Sequence, residues 1–387
     1  MSAVVAGRSP DLIYLRLEEY KANSYLTHNL HPYPAKYVPQ IPREIIERLT
    51  LPGDWVLDPF CGSGTTLVEC ALIGRNSVGT DVNPLSCLIS KAKSKRLSAK
   101  QLKALSQFGE SVASLATLTV PKNAIPEFFG IDKWFMPDVQ VELAALLKMI
   151  RDVPDIAVRS VLEVVFSAIV VRVSNQDSDT RYKAVSKVLP KGVVRQVFLP
   201  RLSDAIARCT AFSETAKDVV ANVWQLDATR ETSPGGHQFN LVVTSPPYMN
   251  SYDYYLYHKH RMRWLGLDVA DTQEKEFGSR NKHNDKGLGI DAYNEPVARS
   301  IALTRSILAD DGYYCVVVGD AIWRGDLIKM NSNYDELFLR AGYQKVREIV
   351  FPQRKYTRAF TMNMKTQHKD SYVLVYSKGA SRSRRRA

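Results

Sequence analysis

The chain has 387 residues, 45% hydrophobic and 24% charged, an ordinary globular composition at a length that implies one large domain with an insertion, or two domains. Its five cysteines are scattered with no Cys-x-x-Cys pair, which argues against a disulfide framework and a structural zinc site. No apolar run reaches the roughly 18 residues of a membrane span, and the first residues lack a cationic start followed by an apolar block, so a cytoplasmic protein is expected.

The formal net charge is +12, and discounting the five cations of the terminal SKGASRSRRRA still leaves +7. A basic body suits a polyanionic partner, because neutralising phosphates releases counterions. The Arg-rich end, residues 379–387, reads as a disordered tail.

In chain order, short apolar strands alternate with amphipathic helices, the pattern of a mostly parallel sheet covered on both faces. Strands are predicted at 54–58, 77–81, 219–226, 240–244, 313–318, 343–351 and 371–376. Helices are predicted at 42–49, 65–73 and 84–95, the last with Pro84 in its first turn. The expected fold is α/β: a Rossmann-like, doubly wound, mostly parallel seven-stranded sheet with an antiparallel last strand and a helical insertion.

Two long segments break the rhythm. Residues 98–216, between the second and third strands, are helical in pattern, notably at 139–150 and 157–171. Residues 249–294 follow the fourth strand and are rich in Tyr, His, Lys, Arg and Asn. Long connections at the carboxyl edge of such a sheet are usually functional. The organisation expected is a cofactor-binding part at 1–97, the helical insertion at 98–216 and a catalytic part at 217–378, followed by the tail.

Val56-Leu57-Asp58-Pro59-Phe60-Cys61-Gly62-Ser63-Gly64-Thr65-Thr66 joins the first strand to its helix. Gly62 and Gly64 let the backbone turn tightly and approach a ligand. Asp81 lies 17 residues beyond Gly64, at the end of the next strand, where a carboxylate accepts hydrogen bonds from ribose hydroxyls. Asp227, ending the third strand, is placed to accept from an adenine amine. A Gly-x-Gly turn alone also fits a generic strand–helix connection.

Asp-Pro-Phe-x-Gly-x-Gly differs from the dinucleotide signature and resembles the cofactor loop of S-adenosylmethionine-dependent methyltransferases. The resemblance implies that Asp58, Gly62 and Gly64 contact the methionine part of S-adenosyl-L-methionine, that Phe60 packs on the cofactor, and that Thr65 stands beside them. His31-Pro32-Tyr33-Pro34-Ala35-Lys36-Tyr37 resembles the element that closes over the methionine end in amino-methyltransferases, which singles out Tyr33 and Lys36. It fits a Pro-rich helix entry equally well. No metal is expected.

Thr244-Ser245-Pro246-Pro247-Tyr248, directly after an apolar strand, is the most informative stretch. An exocyclic base amine is a poor nucleophile because its lone pair is delocalised into the ring. Acceptors aimed at its N–H groups favour a pyramidal nitrogen and free that lone pair, and Ser245 Oγ and the Pro246 carbonyl are the natural acceptors. Pro246 and Pro247 fix φ and stiffen the turn. Tyr248 offers a face on which a flipped base can stack, worth about 1–3 kcal/mol. The motif resembles the Ser-Pro-Pro-Tyr of DNA amino-methyltransferases, where Ser at the first position is associated mainly with cytosine N4 and Asp or Asn mainly with adenine N6. Carbon-5 cytosine methylation fits poorly, since it needs a cysteine typically after proline and this sequence has no Pro-Cys.

The resemblance covers about 31–95 and 218–377. It implies a site-specific cytosine-N4 methyltransferase acting on double-stranded DNA, accompanying a cognate restriction endonuclease. The alternatives are adenine-N6 methylation and a DNA-binding regulatory or defence protein with a decayed site. For the duplex, the polar centre of 174–182 with Arg181 and Lys183 is a candidate base reader and equally a solvated loop. Tyr252 belongs to an aromatic–cationic stretch that also fits an amphipathic helix packing Tyr254, Leu256 and Trp264 inward. Arg354 and Lys355 form a third basic patch with Tyr356 and Arg358.

Overall fold

The computed structural model describes residues 8–15, 24–179, 181–232, 235–250, 252–285, 288–352 and 369–379. Arg354, Lys355 and all but the first residue of the predicted tail lie outside these.

The sheet has seven strands: β1 Trp55–Asp58, β2 Asn76–Asp81, β5 Ala221–Gln225, β6 Phe239–Thr244, β7 Leu308–Gly319, β10 Gln344–Pro352 and β11 Asp370–Ser377. Two hairpins stand apart from it, β3 Gln176–Ser178 with β4 Arg181–Ala184, and β8 Ala321–Trp323 with β9 Asp326–Ile328. Across the sheet the order is β10-β11-β7-β6-β1-β2-β5. Pairings among β5, β2, β1, β6 and β7 are parallel, and β11 runs antiparallel to both β7 and β10. The expected Rossmann-like sheet, including the antiparallel last strand, is what forms.

Both faces are buried by the period-2 alternation of strand side chains. Val56, Leu241, Val243 and Val373 pack on one face with Ile41, Ile45, Ile46 and Leu49 of α1 Gln40–Leu49 and with Cys70 of α2 Thr65–Ile73. Leu57, Val242, Val316 and Leu374 pack on the other with α11 Ile290–Ile307 and α12 Met330–Arg340. Neighbouring residues of one strand thus serve opposite cores, which is why central strands read as nearly continuous apolar runs.

Strand and helix boundaries differ from expectation by a residue or two, except around β7. Asp310-Asp311-Gly312, whose composition predicts a turn ahead of the strand at 313–318, is inside β7, accommodated as an irregularity: Phe239 lies opposite Leu308 but Leu241 lies opposite Tyr313. An added Cβ at Gly312 would meet Leu308 Cδ1 at 2.8 Å and the Asn240 carbonyl oxygen at 3.0 Å, so the excursion needs glycine.

The stretch between β2 and β5 holds α3 Pro84–Ser94, α4 Ala99–Ser114, α5 Ile131–Trp134, α6 Pro137–Arg151, α7 Ile156–Val170, the β3–β4 hairpin and α8 Val193–Thr215. Leu143, Val161, Val165, Phe166, Phe198 and Leu202 make its core, which continues into Leu85 and Ile89 of α3. It also takes Met262 and Trp264 of α9 Tyr254–Leu265. The helices therefore share one core with the flank of the sheet. In α9 the inward face is Tyr255, His258, His260, Arg261, Met262 and Trp264, with Leu256 and Tyr254 only half-buried. That corrects the expected inward set: a helix clamped between the insertion and a cleft obeys its neighbours rather than a single apolar stripe. A short α10 Val269–Lys275 follows.

Candidate active site

The direction of winding reverses between β1 and β6: from β1 the chain crosses outward to β2 and β5, whereas β6 leads to β7 on the other side. Carboxyl ends of strands flanking such a switch point leave a crevice, because their connections leave in opposite directions. Both sequence motifs follow those two strands. Gly62 and Ser245, 183 residues apart in the chain, line one cleft.

Asp58 ties the two strand ends together. It is 1% exposed, and its oxygens accept from the Phe60 N–H (3.2 Å), Thr244 Oγ1 (2.6 Å) and Thr66 Oγ1 (2.6 Å). Burial pushes its carboxyl up to about 6 against the pull of those bonds. Asp58 does not line the cleft; it braces the wall from behind. Gly64 is likewise in the wall, with φ +76 and no room for a Cβ, which would sit 2.9 Å from Ser90 Cα. Thr65 opens α2 and reaches the cleft.

Gly62 donates to Asp81 (2.9 Å), whose other oxygen accepts from the Asn83 N–H at 2.8 Å. Burial raises Asp81 to about 6, and these amides oppose the rise. Asn83 also caps α3 by accepting from Leu85. Asp81 faces the cleft with lone pairs to spare, since a carboxylate offers about four acceptor sites. Asp227 lines it too, but already accepts from the Thr229 N–H and hydroxyl and pairs with Arg230 at 3.2 Å.

The segment carrying Tyr33 and Lys36 folds over the loop. Tyr33 bonds Ser86 (2.8 Å) and covers Gly62, where an added Cβ would lie 3.4 Å from its hydroxyl. Lys36 lines the cleft while its ammonium donates to the His28 carbonyl at 2.8 Å. Phe60 lines it and meets Phe277 edge-on at 5.5 Å.

On the opposite wall, Ser245 Oγ donates to Tyr248 Oη at 3.3 Å. The Pro247 carbonyl accepts from Tyr293 (3.0 Å), which is itself linked to Tyr334 at 2.8 Å. Ser245 and Pro247 line the cleft, while Pro246 and Tyr248 stand beside it in the same turn. Of the residues singled out for DNA, Arg181 and Lys183 are exposed on the β3–β4 hairpin, and Tyr252 packs against Tyr254 and Tyr257 at the start of α9.

Sequence reasoning missed Tyr254, Thr272, Lys275, Glu276 and Phe277, all of which line the cleft. Glu276, 5% exposed, accepts from the Tyr254 (2.7 Å) and Tyr255 (3.2 Å) amides and so satisfies the first turn of α9 from a distant point in the chain. Burial pushes it up to about 8 despite those amides. Only its place inside the Tyr-, His- and Lys-rich segment after the fourth strand hinted at a role. Among the described residues, no group of three or more His, Cys, Asp or Glu is gathered to hold a metal.

A Rossmann-like sheet whose Gly-turn and Ser-Pro-Pro-Tyr turn share the switch-point cleft defines a methyltransferase. The family model described as DNA methylase, covering N6 and N4 types, matches residues 10–92. The chain is 23% identical to Type II methyltransferase M.MjaII of Methanocaldococcus jannaschii over 88% of its own length and 79% of that protein's. It is 28% identical to Type II methyltransferase M.MvaI of Kocuria varians over 64% of its length, spanning 59% of that protein. It is 24% identical to Type II methyltransferase M.BsoBI of Geobacillus stearothermophilus over 67%, spanning 57% of that one. The family-model match and these relatives support assignment to the S-adenosylmethionine-dependent DNA amino-methyltransferases.

The lining fits that cofactor. Asp81 and Asp227 put two carboxyl groups on a site that receives a cationic ligand, Phe60 and Phe277 supply flat apolar surface, and Gly62 keeps the floor open where a side chain would meet Tyr33.

Proposed function

We propose that the protein methylates the exocyclic N4 amine of cytosine at a specific sequence in duplex DNA, as the modification partner of a restriction endonuclease in the cytoplasm. The observation that carries this reading is Ser245 at the first position of a stiff turn, lining the cofactor cleft. Its hydroxyl proton is spent on Tyr248 Oη, leaving Oγ lone pairs to accept from the amine. When bound, S-adenosylmethionine supplies a sulfonium methyl carbon as the electrophile.

Ser245 Oγ and the Pro246 carbonyl take the two N–H groups of the amine and so favour the pyramidal nitrogen that attacks. Tyr293, through the Pro247 carbonyl, holds the turn at one angle, so little alignment entropy is lost on binding. Tyr248 supplies a face for the flipped base. Asp81 binds the ribose hydroxyls, Phe60 packs on the cofactor, Tyr33 and Lys36 close its methionine end, and Asp227 receives the adenine amine. Asp58, Gly64 and Thr65 hold the loop in shape. The chain divides by role into 1–97 for the cofactor, 98–216 for gripping and reading DNA and 217–378 for catalysis.

The test is mass spectrometry of nucleosides from unmethylated DNA incubated with the purified protein and S-adenosylmethionine. N4-methylcytosine is expected, and N6-methyladenine alone would overturn the assignment. The names of the relatives leave this choice open, and Ser245 favours cytosine.

A further inference from the structure

At the outer end of α9 lies a surface that catalysis does not use. The turn before α5 carries Phe129, which is 93% exposed, the most exposed aromatic ring among the large hydrophobics of the described residues. Its backbone is not loose: the Phe129 carbonyl accepts from Arg263 Nη1 at 3.2 Å, and that guanidinium lies 5.2 Å over the ring of Phe128. Phe128 in turn meets Trp264 and Phe135 edge-on. The braced turn thus presents a bare phenyl to solvent.

Lys259 sits 5.7 Å over Tyr182 of the β3–β4 hairpin, and Lys133 sits 5.6 Å over Trp134, so three cations stand on three rings within one patch. The hairpin is pinned to α9 because Asp179 pairs with the buried Arg261, which also donates to the Ser167 carbonyl. Asp177 pairs with Arg181 at 3.3 Å, and Asp132 accepts from Gln140. Asp132, Asp177 and Asp179 are thus engaged within the protein; Glu127 and Asp138 are exposed, as are Lys133 and Lys183. Cations carried on aromatic faces beside an exposed ring are what a nucleic-acid surface needs: charge for phosphates and a plate for bases.

Tyr254, in the cleft, and Arg263, which holds the Phe129 carbonyl, lie nine residues apart on α9. At about 1.5 Å per residue that is roughly 14 Å along the helix.

We infer that this face grips the duplex flanking the target base, with Phe129 as a wedge set against the bases there. The inference rests on the methyltransferase reading, and it adds a residue that the motifs do not contain. A side chain pressed between base steps offsets unstacking by opening the bent duplex to more protein surface.

The test compares the full-length protein with F129S and, separately, K133A/K183A, using a mixed-sequence fluorescent duplex of about 30 base pairs. Because Phe129 is exposed, F129S keeps the thermal midpoint of the parent. Its affinity for the duplex falls roughly five- to a hundredfold, the range expected when one base no longer stacks on an aromatic ring. The rise in KM for DNA exceeds any change in kcat. K133A/K183A weakens binding uniformly and lowers the slope of log affinity against log salt by about one for each phosphate no longer neutralised. Unchanged duplex affinity in F129S overturns the inference and points instead to a docking site for a protein. Absence of methyl transfer by the unaltered protein sinks the methyltransferase reading, whereas duplex binding is read without transfer, so the two failures are separable.

Discussion

Glu276 allows a quantitative test of the cleft. Its carboxyl closes the cleft wall and bonds two amides of α9, yet burial lifts it from an ordinary 4.5 to about 8. The folded state therefore binds this proton more tightly than the unfolded chain. The associated stability is fully present below pH 4.5 and is lost as pH rises through 8. A shift of that size corresponds to about 5 kcal/mol, and water entering the cleft on ionisation reduces the expected loss to about 2–4 kcal/mol. E276Q keeps a neutral acceptor for the Tyr254 amide and removes the titration. Asp58 and Asp81 also titrate above their usual range and are common to both proteins, so they cancel in the comparison. Urea unfolding at unit steps from pH 5 to 9 should give two curves of different slope: the parent loses stability relative to E276Q as the pH climbs. Parallel curves would refute the reasoning, because they would mean that Glu276 is ionised in the fold throughout.

Three further outcomes follow from the site. S245A should lose about 10²–10³-fold in kcat, the scale of a deleted transition-state hydrogen-bond partner, while calorimetry finds S-adenosylmethionine binding nearly intact; equal activity would remove Ser245 from the mechanism. T244V takes a hydroxyl donor from buried Asp58 and leaves a lone pair unpaired, which should lower stability by about 1–3 kcal/mol and raise the Asp58 pKa further, read as a steeper loss of stability with rising pH. G64A forces a Cβ to within 2.9 Å of Ser90 Cα at a φ of +76, so an overpacking and backbone penalty of about 1–3 kcal/mol, with weaker cofactor binding, is expected from thermal melts in the presence and absence of S-adenosylmethionine.

The sheet was legible because its signals are local. Val56-Leu57, Leu241-Val242-Val243 and Val373-Leu374-Val375 each bury neighbouring residues on opposite faces, so the strands appear as apolar runs that need no knowledge of their partners. The excursion before Tyr313 was not legible as part of a strand, because Asp310-Asp311-Gly312 has turn composition and only pairing with β6 carries the chain through it. In α9 periodicity misassigned Leu256 and Tyr254, since two different neighbours, the insertion core and the cleft, divide that helix's surface between them.

By itself the sequence determined what contiguous residues can encode: the glycine turn after β1, the acidic end of β2 and the rigid Ser-Pro-Pro-Tyr turn. The chemistry of each depends on spacings of a few residues that backbone stereochemistry preserves. Only the tertiary structure decided that Asp58 braces Thr244 from 186 positions away, that Glu276 caps α9 inside the cleft, and that Phe129 stands bare on a turn held by Arg263. Those relations arise where separate segments are packed onto one sheet edge, and a linear pattern carries no record of which segments meet there.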